Sequence, residues 1–542
     1  MFVTAWAPDK HLMTRRFVLT SVAILLVVIG LLPILAMLAR SVVVDGHLSL
    51  ASCRGLFASG RAWVLMKHSL ALSALTTLLT TAIGLPLGVL LAKTDVPFRR
   101  LFAMLFTIPL LVPPYITAVS WFDLLGRNGL LARYLSPSLA GTLSTWLFGL
   151  PGCVLVLFST FLPIVMLLTM ISLKTVNPRL EQAGRLVAGW FAVLKGITIP
   201  LIFPGVLLAA MLVFLLTLGE FGVPAFLRYD VFPVESFTQF SAFYNFGAAT
   251  AAALPLAVIT FLILAAERFF LRKKTDQLQP APDGEWSLIE LGSLRGALFA
   301  LVSLLCLTIV IVPVLVLLLQ SAALSTYVEA LNRAGDSLLR SVVYAFIGAT
   351  LLTLVGFLSG YAIHIRALSF WRSIDALTIF LFALPSTVTG IGLISLWNRP
   401  WTGFIYATPA IIILGYLAKY TALTSRITIS MLTRIPPSME EAAQIVGAGW
   451  VRRMGMIVAP LAKHGLIAGW LVGYIFCLRD MGITMMVYPA GRETLPVRIF
   501  TLMANGPPQL IAALCVVMIA ATLLPLGILW ATFETAMRGS DR

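Results

Sequence analysis

Long runs of apolar residues, separated by short polar stretches, dominate this chain of 542 residues. A helix needs about 20 mainly apolar residues to cross a bilayer, whereas the strands of a transmembrane barrel alternate in polarity over about ten residues. The pattern therefore predicts an all-α polytopic membrane protein with about twelve spans. Numbered in chain order, the predicted spans lie at residues 17–39, 64–92, 101–121, 145–173, 197–220, 245–270, 295–321, 337–366, 374–397, 403–431, 460–481 and 509–534.

Composition and charge agree with this fold class. Sixty per cent of the residues are hydrophobic and 11% are charged, against roughly 25% charged residues in soluble domains. Lysine and arginine concentrate in alternate loops, and cytoplasmic loops carry such an excess. We therefore expect both termini to be cytoplasmic. The same bias explains the net charge of +16, so we expect the lipid bilayer as a partner and no nucleic acid.

The ends of the chain and its cysteines add little further chemistry. The apolar run after Lys10 to Arg16 is longer than the 7–15-residue core of a signal peptide, so we expect it to remain as an anchor. Of five cysteines, only Cys53 falls in a predicted external loop, and no close pair occurs. Neither a disulfide framework nor a C-x-x-C metal site is predicted, and the ligands of any metal remain unknown.

The chain is predicted to be a fused duplication. Residues 271–294 form a polar, proline-bearing cytoplasmic linker between a first repeat, residues 1–270, and a second repeat, residues 295–542, each with six spans. Gly84 and Gly88 match Gly356 and Gly360 at a constant offset of 272 positions, and Pro109 is paired with Pro385 at an offset of 276. Internal repeats are typical of transporter folds. Because each repeat has an even number of spans, both repeats begin on the same side of the membrane. We therefore expect them to lie parallel.

Two polar segments recur between spans 4 and 5 and between spans 10 and 11. The first polar segment (residues 177–200) contains Glu181-Gln-Ala-Gly-Arg-Leu-Val-Ala-Gly-Trp190 and Pro200; the second (residues 435–460) contains Glu441-Ala-Ala-Gln-Ile-Val-Gly-Ala-Gly-Trp450 and Pro460. Each should form a short helix, and Pro200 and Pro460 should open the following spans.

Capping residues and apolar spacing support these helices. Asn177 can cap the first, with Pro178 in its first turn, and Ser438 with Glu441 has the spacing of a capping box. Apolar residues at i, i+3, i+4 and i+7 predict one apolar face on each helix. Glycines should weaken or end the helices. The apolar positions are Ala183, Leu186, Val187 and Trp190, with Ala443, Val446, Gly447 and Trp450; the glycines are Gly184, Gly189, Gly447 and Gly449.

The second polar segment resembles the cytoplasmic E-A-A-x3-G-x9-I-x-L-P motif of permeases in binding-protein-dependent ABC importers. The matching residues are Glu441, Ala442, Ala443, Gly447, Ile457 and Pro460, with Ala459 in place of leucine. The first polar segment keeps Glu181, Ala183, Ile197 and Pro200 but departs from the motif at Gln182 and Val187. The resemblance implies a bacterial inner-membrane permease and two ABC ATPase subunits bound beneath it, contacted first by Glu181 and Glu441. Because the two motifs differ, we expect the two segments to engage their ATPase subunits unequally.

The resemblance also assigns the chemistry of ATP to another chain. No G-x4-G-K-[ST] phosphate loop occurs, so the chain is not expected to be its own ABC ATPase. As a transport subunit, it is expected neither to be an enzyme nor to bind a cofactor. ATP and magnesium would belong to the partner ATPase.

Ionisable residues within spans are candidates for a transport pathway. Glu220 and Asp480 occupy matching positions at the ends of spans 5 and 11. They could line a cation path, with Arg479 as a partner of Asp480, or could be interfacial residues with a structural role. Lys419 could lie on the path or extend its stem to the cytoplasmic surface.

External segments at residues 221–244 and 482–508 could receive a substrate-binding protein. Gly219–Pro224 and Tyr488–Ile499, with the fused arrangement, resemble the ferric-iron branch of the family. Thiamine, aminoalkylphosphonate and polyamine importers are the alternatives within it. A secondary transporter is a weaker alternative, because residues 93–100 lack the G-x3-D-R-x-G-R pattern of major facilitators. A membrane enzyme is disfavoured because no catalytic or metal-ligand spacing occurs among five histidines.

Overall fold

The computed structural model describes residues 10–44, 47–48, 58, 60–270 and 288–540. Eight helices in these ranges are long and apolar enough to cross a membrane, and four pairs of helices, each bent by more than 40°, bring the number of possible spans to twelve. These twelve helices and pairs coincide one by one with the predicted spans, and the all-α membrane fold is confirmed. Cys53 and linker residues 271–287 lie outside the described residues.

The chain divides into two compact units. One comprises residues 51–335 and 499–520, and the other comprises residues 1–50, 336–498 and 521–542. These units differ from the predicted repeats, residues 1–270 and 295–542. The difference arises because span 1 is grouped with the body of the second repeat, whereas span 7 is grouped with the first.

The unit built on residues 51–335 contains spans 2 to 7. Its helices, with their 3-10 and π segments, are Gly60–Lys93 (span 2), Arg99–Leu111 and Pro114–Leu125 (span 3), Leu131–Arg133, Pro137–Leu147, Leu150–Leu173 (span 4), Pro178–Arg185, Trp190–Val193, Leu194–Thr198 and Ile199–Leu218 (span 5), Gly222–Phe226, Phe232–Ser241, Phe246–Phe270 (span 6), Gly292–Leu294, and Arg295–Cys306, Leu307–Ile311 and Val312–Gln320 (span 7).

The other unit contains span 1 and most of spans 8 to 11, and the last helix contributes to both units. Its elements are Lys10–Leu26, Val27–Leu31 and Leu32–Val42 (span 1), strands Val43–Val44 and His47–Leu48, and helices Leu324–His364 (span 8), Trp371–Ala383 and Ser386–Trp397 (span 9), Pro400–Thr402, Gly403–Tyr406 and Ala410–Leu432 (span 10), Pro437–Ile445, Trp450–Arg453, Met454–Val458, Ala459–Leu461 and Lys463–Arg479 (span 11), Gly482–Val487, Leu495–Leu502 and Pro508–Ser540 (span 12). The two strands pair antiparallel.

Among the described residues, a π turn precedes a proline in four spans. The turns cover residues 27–31, 194–198, 307–311 and 454–458, and Pro33, Pro200, Pro313 and Pro460 each follow two residues after the turn ends. A proline lacks the N–H donor and its ring clashes with the carbonyl four residues earlier, so the wider turn accommodates it. The prediction that Pro200 and Pro460 open their spans is therefore wrong, because helical structure already begins at Trp190 and Trp450.

Spans 3 and 9 bend at matching prolines. The helix pairs meet at 99° and 109°, and the breaks fall at Val112-Pro113 and Leu384-Pro385. Val112 and Leu384 have extended backbone, as the residue before a proline prefers. The predicted pairing of Pro109 with Pro385 is wrong: Pro109 lies inside a helix, and Pro113 stands at the offset of 272 that the glycines share.

The repeated glycines allow close contact between spans. A Cβ on Gly88 of span 2 would lie 2.8 Å from the Met166 carbonyl oxygen of span 4, and a Cβ on Gly360 of span 8 would lie 2.8 Å from the Ser425 carbonyl oxygen of span 10. The same helix-to-helix contact therefore occurs in both units, as small residues permit in membranes.

Candidate functional site: the two polar segments

The first polar segment forms a short helix, Pro178–Arg185, as predicted. The Asn177 side chain caps it by accepting a 3.0 Å hydrogen bond from the Arg179 backbone N–H, so this predicted cap is confirmed. The helix ends at Arg185, and a new one begins at Trp190 after Gly189. The predicted continuous apolar face is therefore wrong, since the residues after Arg185 belong to a turn.

The second polar segment forms the helix Pro437–Ile445. The predicted capping box is wrong, because Pro437 takes the first turn and Pro436 precedes it, which places Ser438 inside the helix. Gly447 has a φ of +80°, the left-handed region that glycine occupies without strain. The chain turns there before the helix that begins at Trp450.

Each polar segment exposes two apolar side chains where its first helix ends. Leu186 and Val187, the first apolar tip, are both 88% exposed, and Ile445 and Val446, the second apolar tip, are 86% and 82% exposed. Pro200 and Pro460 lie in the helical stretches that follow. The remaining motif residues vary in exposure: Ala183, Gly189, Glu441, Ala442 and Gly447 are exposed, and Gly184, Ala443 and Gly449 are half-buried.

Glu181 is buried beneath the first polar segment. Its Oε2 atom lies 2.5 Å from the Nζ of Lys93, at the end of span 2, and both side chains are buried. Its Oε1 atom accepts a 2.8 Å hydrogen bond from the hydroxyl of Thr198 in span 5. Glu181 thus joins its segment to two spans of the same unit, and its predicted contact with an ATPase stays a prediction.

In the second polar segment the corresponding contacts are made by Glu440, one position before the motif glutamate. Its Oε1 atom accepts a 2.8 Å hydrogen bond from the hydroxyl of Tyr361 in span 8. The same atom lies 3.6 Å from the Nε of Arg453, near the start of span 11. Glu441, the motif residue, is exposed.

The end of the linker lies beside Lys93, the residue that holds Glu181 of the first polar segment. Ile289 donates a 2.8 Å backbone hydrogen bond to the Lys93 carbonyl, and Asp95 donates one of 3.3 Å to the Ile289 carbonyl. The Asp95 carboxylate accepts a 3.0 Å hydrogen bond from the Leu291 N–H. The described linker residues are therefore fixed to the loop that follows span 2.

The two candidate pathway acids each cap the short helix that follows their span. Glu220 accepts hydrogen bonds of 3.1 and 3.4 Å from the N–H groups of Gly222 and Val223. Asp480 is buried and accepts 3.0 Å bonds from the N–H and hydroxyl of Thr484, as well as a 2.6 Å bond from the Tyr420 hydroxyl. Each acid thus has a structural role in its own unit.

The two candidate pathway cations also have specific neighbours. The Arg479 guanidinium lies 4.9 Å from the centre of the Phe476 ring. Lys419 is buried and donates a 2.6 Å hydrogen bond to the Leu384 carbonyl at the bend of span 9. The Lys419 ammonium group is therefore held in the interior of its unit.

Sequence reasoning missed Lys93, Thr198, Tyr361, Glu440 and Arg453. Lys93 and Glu181 are 88 positions apart, so no local pattern links them. One signal was available for Glu440, namely its place beside Glu441 in the same helix. Among the described residues, no group of three or more His, Cys, Asp or Glu side chains could hold a metal ion.

Comparison with known proteins identifies relatives along most of the chain. No family model matches it. FbpB 1 of Haemophilus influenzae, named for ferric transport, is 22% identical over 78% of this chain and 70% of its own length. The ferric transport system permease protein FbpB of Actinobacillus pleuropneumoniae is 23% identical over 81% of this chain and 67% of its own length. This chain is related to the permease subunits of ABC transporters.

A shorter relative has a different named substrate. The spermidine/putrescine transport system permease protein PotC of Haemophilus influenzae is 28% identical over 34% of this chain and 71% of its own length. Such permease subunits are not themselves enzymes. The apolar helices and these relatives together identify a multi-pass protein of the inner membrane.

Proposed function

We propose that this chain is the membrane-spanning subunit of an ATP-driven importer, and that each polar segment docks one ABC ATPase subunit. The observation that carries the proposal is the pair of apolar tips, Leu186 with Val187 and Ile445 with Val446, which are 82–88% exposed in corresponding segments. The relationship to permease subunits supplies the class of partner.

Burying the exposed apolar side chains of the two tips against a partner would be energetically favourable. Fully burying a Val, Leu or Ile side chain contributes about 1.5–3 kcal/mol, so a partner that covers both side chains of a tip gains binding free energy. The excess of lysine and arginine around them supports a cytoplasmic location for both segments and for both termini. ATP and magnesium would be bound there by the partner.

The proposed division into two fused six-span repeats supports two docking sites on one chain. The matching glycine contacts, the matching bends at Pro113 and Pro385, and the π turns before Pro200 and Pro460 favour it. The exposed Glu441 is the carboxylate best placed for a charge-assisted hydrogen bond with an ATPase arginine.

We further propose ferric iron as the substrate, delivered by a periplasmic or extracellular binding protein to the external helices Phe232–Ser241 and Leu495–Leu502. Two relatives that match most of the chain are named for ferric transport, which favours iron over polyamine, aminoalkylphosphonate or thiamine.

The docking proposal is tested by measuring ATPase binding to the purified full chain. A variant with all four tip residues changed to serine should bind the ATPase at least tenfold more weakly, because the buried apolar area is lost. Changing Leu324 to serine is the matched control and should leave binding unchanged, because this side chain is 80% exposed at the start of span 8, outside both polar segments. Equal binding by the wild type and the four-residue variant would refute the proposal.

The substrate is tested separately by uptake. Cells that lack this chain should lose uptake of radioactive ferric iron, and expression of the chain should restore it. Normal iron uptake with lost uptake of labelled spermidine, aminoethylphosphonate or thiamine would reject iron and identify the alternative.

A further inference from the structure

Each polar segment is fixed to the spans by one carboxylate that reaches two helices. In the unit built on residues 51–335, Glu181 is held by Lys93 of span 2 and Thr198 of span 5. In the other unit, Glu440 is held by Tyr361 of span 8 and Arg453 near the start of span 11. The arrangement is the same, although the partner side chains differ.

The two carboxylates do not occupy matching sequence positions. The motif pairs Glu181 with Glu441, 260 positions apart, but Glu181 is buried and Glu441 is exposed. Glu440 performs the anchoring role in the second segment and leaves Glu441 at the surface. The first segment has Leu180 where the second has Glu440, so a single glutamate is available there.

We infer that Glu181 and Glu440 are positioning residues that transmit movement of the polar segments to the spans, and that of the three glutamates Glu441 alone contacts an ATPase. This inference rests on the proposed function. A buried ion pair such as Lys93 with Glu181 resists opening, because separation leaves an uncompensated charge away from water. The segment and the ends of both spans therefore move together when a partner pulls on the tip.

The linker reinforces the first of these anchors. Ile289 is buried and bonds to the backbone carbonyl of Lys93, the residue whose ammonium group holds Glu181. Arg295, at the start of a span 7 helix, lies 3.6 Å from the Asp95 carboxylate. The described end of the linker thus holds the backbone of Lys93, the residue that anchors the first polar segment.

The test uses the full chain purified with its ATPase subunits and reconstituted in liposomes, with the binding protein loaded with ferric iron. Two quantities are measured: the ATPase subunits retained per chain, and the stimulation of ATP hydrolysis by the loaded binding protein. Glu181→Gln and Glu440→Gln should retain the ATPase but lose most of the stimulation, about fivefold or more. Glu441→Gln should weaken ATPase binding by about tenfold, because the hydrogen bond to the partner loses the negative charge of its acceptor.

Conservative variants separate positioning from folding. Lys93→Arg keeps the ion pair and should keep the stimulation, whereas Lys93→Met should lose it. Thr198→Val removes only a hydroxyl and should reduce stimulation in a complex that still assembles, even if Glu181→Gln does not fold. Loss of ATPase binding in Glu181→Gln to the extent seen in Glu441→Gln would overturn the inference, as would wild-type stimulation in Glu181→Gln, Glu440→Gln and Thr198→Val. A wild-type chain that binds no ATPase would instead reject the proposed function.

Discussion

The ammonium group of Lys419 donates a 2.6 Å hydrogen bond to the carbonyl oxygen of Leu384. Leu384 precedes Pro385 at the bend of span 9, where the two helices meet at 109°. A bend interrupts the regular helical hydrogen bonds, and a buried carbonyl without a partner is costly. Lys419 of span 10 therefore stabilises the bend of span 9 by supplying a donor from a neighbouring helix.

Replacing Lys419 by methionine should destabilise the protein by about 1–3 kcal/mol, since the Leu384 carbonyl loses this donor. The measurement is thermal unfolding in detergent. The exposed Lys67, changed to methionine, is the control and should leave the unfolding temperature nearly unchanged. An unchanged unfolding temperature in Lys419→Met together with lost substrate uptake would instead place Lys419 on the transport pathway.

The close contacts of Gly88 and Gly360 predict that even alanine is too large there. Gly88→Ala and Gly360→Ala should each cost about 1–3 kcal/mol through overpacking, because the added Cβ would lie 2.8 Å from a carbonyl oxygen of the neighbouring span. Gly141, inside a helix and with open space at its Cβ position, is the control; Gly141→Ala should stabilise by about 0.5–1 kcal/mol. Equal unfolding temperatures for all three variants would show that these glycines do not set the span separation.

Asp480 and Glu220 should act as helix caps rather than as cation ligands. Asp480→Asn keeps an oxygen acceptor for Thr484 and should retain most of the uptake, whereas Asp480→Ala leaves buried donors unsatisfied and should cost about 1–3 kcal/mol. Glu220→Gln should likewise retain uptake. Loss of uptake in both amide variants, with normal unfolding temperature and ATPase binding, would support a charged pathway instead.

The sequence predicts the parts of this fold that depend on composition and local spacing. Each span needs a long apolar run, so hydropathy located the eight long apolar helices and the four bent pairs that could each form one span. Asn177 with Pro178 identified a helix start. Ser438 was a misleading cap because Pro437, with its fixed φ, already suits the first turn of the helix. Pro109 and Pro113 lie four positions apart, and sequence spacing alone did not reveal which of them bends span 3.

The candidate site was less accessible from sequence, because its contacts join distant positions. The motif drew attention to Glu181 and Glu441, yet whether a glutamate points toward the spans or toward solvent depends on the tertiary position of its helix. Lys93, Tyr361 and Arg453 looked like ordinary residues at span ends. Their role became visible only when their distances to Glu181 and Glu440 were known.

The central claim is that one chain docks two ATPase subunits through its two apolar tips, and the mass of the purified complex tests it most directly. Native mass spectrometry of the wild-type complex should give one chain with two ATPase subunits. Changing Leu186 and Val187 to serine, or Ile445 and Val446 to serine, should each reduce the complex to one ATPase subunit. A wild-type chain without an ATPase, or two subunits still bound after both tips are changed, would contradict the claim.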